Sequence, residues 1–360
     1  MSRPIQALID LNALRHNFAV ARKYAGDAYI WAVLKANAYG HGLLRAAGAL
    51  SNLADGFALI ELEGAIALRE AGVEQPLLLL EGFYQADEVA LFAQYRLTPV
   101  LHSLRQVQML VAASLPTRMP VYLKLNTGMN RLGLNAEELE PAMQALQAAT
   151  QVGPVSLMTH FADADCGQEG RGIQGQMSVL EELRGGLDLP LSLANSAALL
   201  RYPESLGNSV RAGIMLYGSS PFPELMSAAA LGLRPVMTLN SELIAVRELS
   251  AGERIGYGGC FQAAAPMKIG IVACGYADGY PRHAPTGTPI LVEGRRTRTL
   301  GRVSMDKICV DLTDLPPAEV GTPVTLWGEG LSADLVAAAA GTVSYELFCA
   351  LAARVPILEI

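Results

Sequence analysis

From residue 29 to residue 217 the chain repeats one pattern, a short apolar run followed by a segment of helical periodicity. The apolar runs fall at residues 29–34, 56–60, 76–80, 98–101, 121–125, 155–159, 191–194 and within 210–217. Residues 41–51, 61–71, 85–94, 104–114, 136–148 and 174–183 between them read as helices, with a short helical turn after Asn195. Near-continuous apolar strands joined by crossover helices argue for a parallel sheet buried on both faces. Eight such units in roughly 190 residues predict a closed (β/α)8 barrel, a fold that takes about 250 residues with its loops. An open doubly wound sheet competes, but no G-x-G-x-x-G follows the first run, which weakens its dinucleotide-binding version.

Ahead of the repeat, residues 7–10 read as a short strand, with Asp10 capping a helix to about Tyr24. Beyond about Gly232 the texture changes to short strand-like runs separated by Gly and Pro turns, closed by helices near 336–340 and 345–353. That reads as a smaller, mainly antiparallel β domain. The expected division is therefore residues 1–232, an N-terminal TIM-type barrel, and residues 233–360, a β-rich C-terminal domain.

Composition narrows the function classes. The net charge of −7 is spread over interspersed signs with no basic run, which argues against nucleic acid and membrane surfaces as partners. No apolar stretch reaches transmembrane length, and the N-terminus has no signal-peptide segment. Five scattered cysteines without a C-x-x-C suggest neither a metal site nor a disulfide framework, and fit a reduced cytoplasmic compartment.

Barrel active sites lie at the C-terminal ends of the strands. The polar residues there are Lys35 and Tyr39, Lys124 and Arg131, His160, Asn195 and Ser196, and Arg211 with Gly213. Each alone could be ordinary: a lysine after a strand is often a solvated charge, a histidine a satisfied structural one. Together they give a lysine opposite the last two strands, whose loops often bind phosphate in barrels. Ser196 offers a hydroxyl there, and Gly213-Ile214 can present backbone N–H groups. A lysine facing a phosphate cradle suggests pyridoxal phosphate held as a Schiff base, with Arg211 at the ring nitrogen.

The motifs VLKANAYGHG at 33–42, KLNTGMNRLG at 124–133, VRAGI at 210–214, GYG at 256–258, GYADG at 275–279 and SMD at 304–306 occur in this order. On these the sequence resembles the alanine racemases over essentially its whole length. The resemblance implies pyridoxal 5'-phosphate on Lys35, which also acts as one base. It implies a homodimer with shared sites, in which Tyr257 from the other subunit is the second base. Tyr39, Ser196, Gly213, Ile214 and Tyr345 would bind the phosphate; Arg211 would face the ring nitrogen, with His160 behind it near Tyr257. Arg131 and Met305 would contact the substrate carboxylate, and Tyr276 and Asp306 would line the access route. Lys124 matches a position carbamylated in some relatives, where it steadies the arginine; Asn126 stands where an acidic residue is expected.

Racemising L- and D-alanine needs a base on each face of the cofactor, Lys35 for the D face and Tyr257 for the L face. Tyrosine's ordinary pKa of about 10 calls for nearby positive charge, which His160 and Arg211 could supply. Other readings are a racemase of wider amino-acid range, an amino-acid decarboxylase and a non-catalytic cofactor carrier. The motifs around Tyr257, Tyr276 and Met305-Asp306 oppose the second, and the β domain opposes the third. Either role for a racemase, supplying D-alanine to the cell wall or degrading it, fits these residues.

Overall fold

The computed structural model describes residues 3–167 and 171–360. The chain opens with β1 (Ile5–Ile9) and a helix over Leu11–Ala25, then enters the barrel. Its strands are β2 (Tyr29–Val33), β3 (Gly56–Leu59), β4 (Leu77–Leu79), β5 (Leu97–Leu101), β6 (Met119–Lys124), β7 (Val152–Met158), β8 (Leu191–Ser192) and β9 (Ser209–Ala212). They pair in sequence order and all in parallel, and β2 closes the ring on β9 through Trp31 opposite Arg211 and Ala32 opposite Ala212. The eight-stranded barrel expected from the alternating pattern is thus the observed fold.

The first helix packs on the closed ring and braces the segment that leaves it. Asp10 caps it by accepting from the N–H groups of Asn12 and Ala13, a contact that stabilises by about 1 kcal/mol. The helix buries Leu14, Phe18 and Ala21 against the barrel. Asn17, fully buried on the same face, donates to the carbonyls of Leu216 (3.0 Å) and Arg234 (2.8 Å) and accepts from Arg234 N–H (2.8 Å). One satisfied amide therefore ties the barrel's last turn to the segment that leaves it.

The second sheet contains β10 (Met237–Leu249), β13 (Met267–Val272), β14 (Pro289–Val292), β15 (Arg295–Leu300), β16 (Ile308–Asp311), β17 (Pro323–Trp327) and β18 (Ile357–Glu359). A hairpin of β11 (Arg254–Ile255) and β12 (Phe261–Gln262) stands apart from it. The long β10 pairs with β17 and β1 along its first half and with β13 along its second, so the strands curl back on themselves. β1 also runs parallel to β18, with Ala7 opposite Ile357. The N-terminal strand is therefore built into the second sheet, which period-2 patterning alone cannot assign. No helix of the described residues is long and apolar enough to cross a membrane.

Asp278 locks this half of the molecule. Its side chain is fully buried and accepts from both arms of Arg3 (2.6 and 2.9 Å), from Arg354 Nε (2.8 Å) and from Gly275 N–H (2.9 Å). Arg354 reaches on to Asp306 (2.6 Å). Burial alone would raise the Asp278 pKa, but the hydrogen bonds from Arg3, Gly275 and Arg354 outweigh it and hold the carboxyl below its usual value. The stabilisation is therefore complete above pH about 4 and fades as pH falls further. Asp278→Asn is expected to lower the unfolding free energy in urea by about 3 kcal/mol, the low end for a broken buried pair because both arginines reach solvent; an unchanged midpoint contradicts the lock.

Candidate active site

At the C-terminal end of the barrel strands lies a cavity of about 610 Å³, a volume suited to a small organic ligand. Lys35, Tyr39, Lys124, Arg131, His160, Ser196, Arg211, Gly213, Ile214 and Tyr345 all line it. The structure thus brings these ten sequence-derived candidates to one place. Tyr257, Tyr276, Met305 and Asp306 do not reach it within the chain. Tyr257 sits in the turn after β11, 70% exposed, and Met305 is 53% exposed. Their loops are neighbours: Tyr276 N–H donates to Ser304 O and Ala277 N–H to Met305 O, each at 3.0 Å.

Lys35 leaves β2 into a turn that the sequence reading did not anticipate. Ala36, Asn37, Ala38 and Tyr39 all have positive φ, between 51° and 54°. That is a left-handed helical turn of four non-glycine residues, each uphill by roughly 1–2 kcal/mol. Of the four only Asn37 belongs to a type that favours the left-handed region, and the sequence reading places Lys35 simply at a strand exit. The expected helix from His41 starts at Leu43 instead. The Lys35 amine has its pKa lowered, first by burial and then by Arg131, so more of it is neutral and nucleophilic at working pH.

Across the cavity the hydroxyls of Tyr39 and Ser196 converge on Gly213. Gly213 N–H donates to Ser196 Oγ (2.8 Å), and a Cβ placed on Gly213 would lie 2.8 Å from the Tyr39 hydroxyl. Only glycine leaves that space open. Ile214 begins a 3-10 turn, whose first N–H groups lack helical partners. Burial raises the pKa of Tyr39 and of Tyr345, so both stay O–H donors. Hydroxyl and N–H donors at a helical N-terminus form an anion cradle.

Arg211, buried on β9, donates to Ser192 O (2.8 Å), Ser192 Oγ (2.9 Å), Thr159 O (2.7 Å) and Leu193 O (3.0 Å). Carbonyl groups thus solvate the cation. Burial pulls its pKa down to about 10, so it stays charged at neutral pH. Its Nε makes no hydrogen bond among the described residues. Nη2 also lies 3.3 Å from His160 Nδ1. Arginine can only donate, so His160 accepts at Nδ1 and carries its proton on Nε2. Burial and Arg211 keep the His160 pKa well below its ordinary value. The positive charge expected of the His160–Arg211 pair therefore belongs to Arg211 alone.

Sequence reasoning missed Glu81 and Asp165, the carboxylates on the cavity wall. It also missed Gln176, a buried helical amide that donates to His160 O (3.0 Å) and Thr127 Oγ1 (2.9 Å) and accepts from Ala162 N–H (2.7 Å). Glu81 directly follows an apolar run, the same signal that marked Lys35. Asn126 accepts from the N–H groups of Gly128 and Asn130 and donates to Asn130 Oδ1 (3.0 Å) and Asn135 Oδ1 (3.2 Å). A carboxylate could not make the last two contacts, which accounts physically for an amide at this position.

Comparison with known proteins agrees along the whole chain. Residues 9–221 match the alanine racemase N-terminal domain and residues 236–358 the alanine racemase C-terminal domain. The chain is 53% identical to a catabolic alanine racemase of Klebsiella aerogenes over 100% of both chains. It is 53% identical to an alanine racemase of Nitrosospira multiformis, covering 98% of this chain and 99% of that one. Among solved structures, the biosynthetic alanine racemase of Pseudomonas aeruginosa superposes with a TM-score of 0.95 at 47% identity over 99% of each chain. That of Acinetobacter baumannii gives 0.91 at 36% identity over 99% of this chain and 100% of its own.

Lys124 supplies a test of the cavity's electrostatics. It is buried and makes no ion pair among the described residues; burial first, then Arg211 and Arg131, lower its pKa to about 8. Between pH about 8 and 10.5 the unfolded chain holds a proton that the folded chain lacks, so this group makes stability rise with pH. Lys124→Met is expected to flatten that rise in urea titrations across the window; parallel pH profiles for the two proteins contradict the lowered pKa.

Proposed function

The chain belongs to the alanine racemase family, isomerases that interconvert L- and D-alanine with pyridoxal 5'-phosphate, and on that premise we propose that Lys35 and Tyr257 of the partner subunit are the two bases of one shared site. The reading is carried by the cavity: a lysine of lowered pKa faces an anion cradle of hydroxyl and N–H donors, with a buried arginine on the wall. The residues fit the cofactor. The space above Gly213 is one that a Cβ would fill, Arg211 keeps Nε unengaged, and the basic lining suits a phosphate.

When bound, pyridoxal 5'-phosphate supplies the electron sink that makes the α-proton of alanine removable. Lys35 would anchor it, while Tyr39, Ser196, Ile214 and Tyr345 hold the phosphate around Gly213. Arg211 would meet the ring nitrogen as a fixed cation. Arg131, with Met305 of the partner subunit, would orient the substrate carboxylate. Inversion requires a proton to leave one face and return to the other, so Lys35 Nζ would serve the D face and the tyrosine oxygen the L face. His160 Nε2–H would steady that oxygen in its charged form, backed by Arg211. Lys124 would support Arg131.

We further assign Tyr276 and Asp306 of the partner subunit to the mouth of the site, and the protein to a cytoplasmic homodimer with no nucleic-acid or membrane partner. The exposure of Tyr257, Tyr276 and Met305 supports a second copy covering them, and five free cysteines suit a reducing compartment.

Incubation with L-alanine should yield D-alanine, and a panel of other L-amino acids should turn over far more slowly. Tyr257→Phe should slow α-proton exchange from L-alanine by about 10²–10⁴-fold while the visible absorbance of the bound cofactor remains. Normal exchange in that variant rejects the tyrosine as base. Lys35→Ala should lose the absorbance on dialysis; its retention rejects the anchor.

A further inference from the structure

The left-handed turn after Lys35 needs something to hold it. Part of the hold is its own: Ala38 N–H donates to Leu34 O (2.8 Å) and Gly40 N–H to Ala36 O (3.0 Å). Asn37 adds more, accepting from Gly42 N–H at its carbonyl (2.9 Å) and from Leu43 N–H at Oδ1 (2.8 Å). Those contacts rest on atoms of the same segment. Ala36 N–H also donates to Glu61 Oε1 (3.3 Å), and a further hold comes from His41, a side chain 1% exposed and absent from the cavity wall. Its Nδ1 lies 2.8 Å from Tyr39 O and 3.1 Å from Ala38 O. Both neighbours are acceptors, so Nδ1 carries a hydrogen and donates.

The ring is fixed from two sides. It packs on Tyr217 at 4.6 Å and meets the edge of Phe348 at 5.1 Å. Tyr217 in turn packs on Tyr39 at 4.6 Å and donates from its hydroxyl to Val33 O (2.8 Å) on β2. Gly40 passes so close to Phe348 that a Cβ there would lie 2.1 Å from its carbonyl oxygen. The imidazole is thus clamped between the barrel and the helix over Ser344–Cys349 that also carries Tyr345. Burial lowers its pKa to about 4, so the donor keeps one form through neutral pH.

We propose that His41 is a positioning residue: by donating from Nδ1 to the carbonyls of Ala38 and Tyr39 it holds the left-handed turn, and so sets the Lys35 amine and the Tyr39 hydroxyl at the separation the cofactor needs. This rests on the reading that pyridoxal 5'-phosphate is anchored on Lys35 with its phosphate near Tyr39. The turn's two ends carry those two groups, so any relaxation toward right-handed backbone changes both at once. A misplacement of about 1 Å at such a site can cost on the order of 100-fold in function.

The test uses His41→Asn, whose amide N–H falls near the imidazole Nδ1, and His41→Gln, whose amide falls near Nε2. Apo proteins are titrated with pyridoxal 5'-phosphate by fluorescence, and unfolded in urea to separate affinity from stability. His41→Gln is expected to weaken cofactor binding by roughly 10- to 100-fold, the scale of lost supporting hydrogen bonds at ligand sites, and His41→Asn much less. Adding Ala36→Gly, an exposed position where glycine adopts the left-handed region without penalty, should recover part of the loss in His41→Gln. Filling a core does not predict rescue by a glycine five residues away. Wild-type affinity in His41→Gln, or equal losses in both variants with no rescue, overturns the proposal. Absence of saturable binding by the wild-type apo protein instead overturns the cofactor reading, and this inference with it.

Discussion

Positive charge gathered without ion-pair partners is the constraint on which the site depends. Lys35, Lys124, Arg131 and Arg211 line one cavity, and none forms a salt bridge among the described residues. Removing cations from water is costly unless charge or hydrogen bonds replace it. Arg211 meets the cost with carbonyl oxygens. The lysines meet it by shifting toward their neutral forms, which is what a lysine needs to bond a carbonyl carbon or take up a proton. A ligand bringing a phosphate and a substrate bringing a carboxylate would add negative charge to that of Glu81 and Asp165 on the wall. Asp278 in the other half of the molecule is the converse: a buried anion with both arginines already in place.

The two halves divide the work according to what each fold makes rigid. The parallel barrel holds Lys35 and Arg211 at or beside the ends of strands that cannot shift without breaking the closed ring, with Ser196 and Gly213 in the loops that follow. The second sheet holds its candidates outward. Asp278 and Arg354 tie the chain's start and end to the loops bearing Tyr276 and Asp306, and those loops are bonded to each other through backbone. Tyr257 projects from a separate hairpin. A surface braced this firmly yet exposed is suited to complete a cavity that is not its own.

Much of this was legible in the sequence because strand periodicity and strand-end chemistry are local signals. Apolar runs located all eight barrel strands; the polar residue following a run located Lys35 and His160, and the polar residue interrupting one located Lys124 and Arg211. What escaped detection depends on distance in the chain. β1 joins the second sheet only because β10 and β18 flank it, hundreds of residues away. Three of the four residues of the left-handed turn seldom adopt that conformation, and Asn37 alone is too weak a signal to predict it. The neutrality of His160 follows from burial and from the direction of one hydrogen bond, neither of which is written in residue type.

The central claim, that one catalytic site takes Lys35 from one subunit and Tyr257 from the other, is tested most directly by mixing two inactive variants. Lys35→Ala and Tyr257→Phe proteins are unfolded, combined in equal amounts, refolded with pyridoxal 5'-phosphate and assayed for racemisation of L-alanine. In a symmetric dimer with shared sites, half the molecules become heterodimers with one intact and one doubly defective site, so activity should return to about one quarter of the wild type. A mixture no more active than the two variants assayed separately contradicts the shared site.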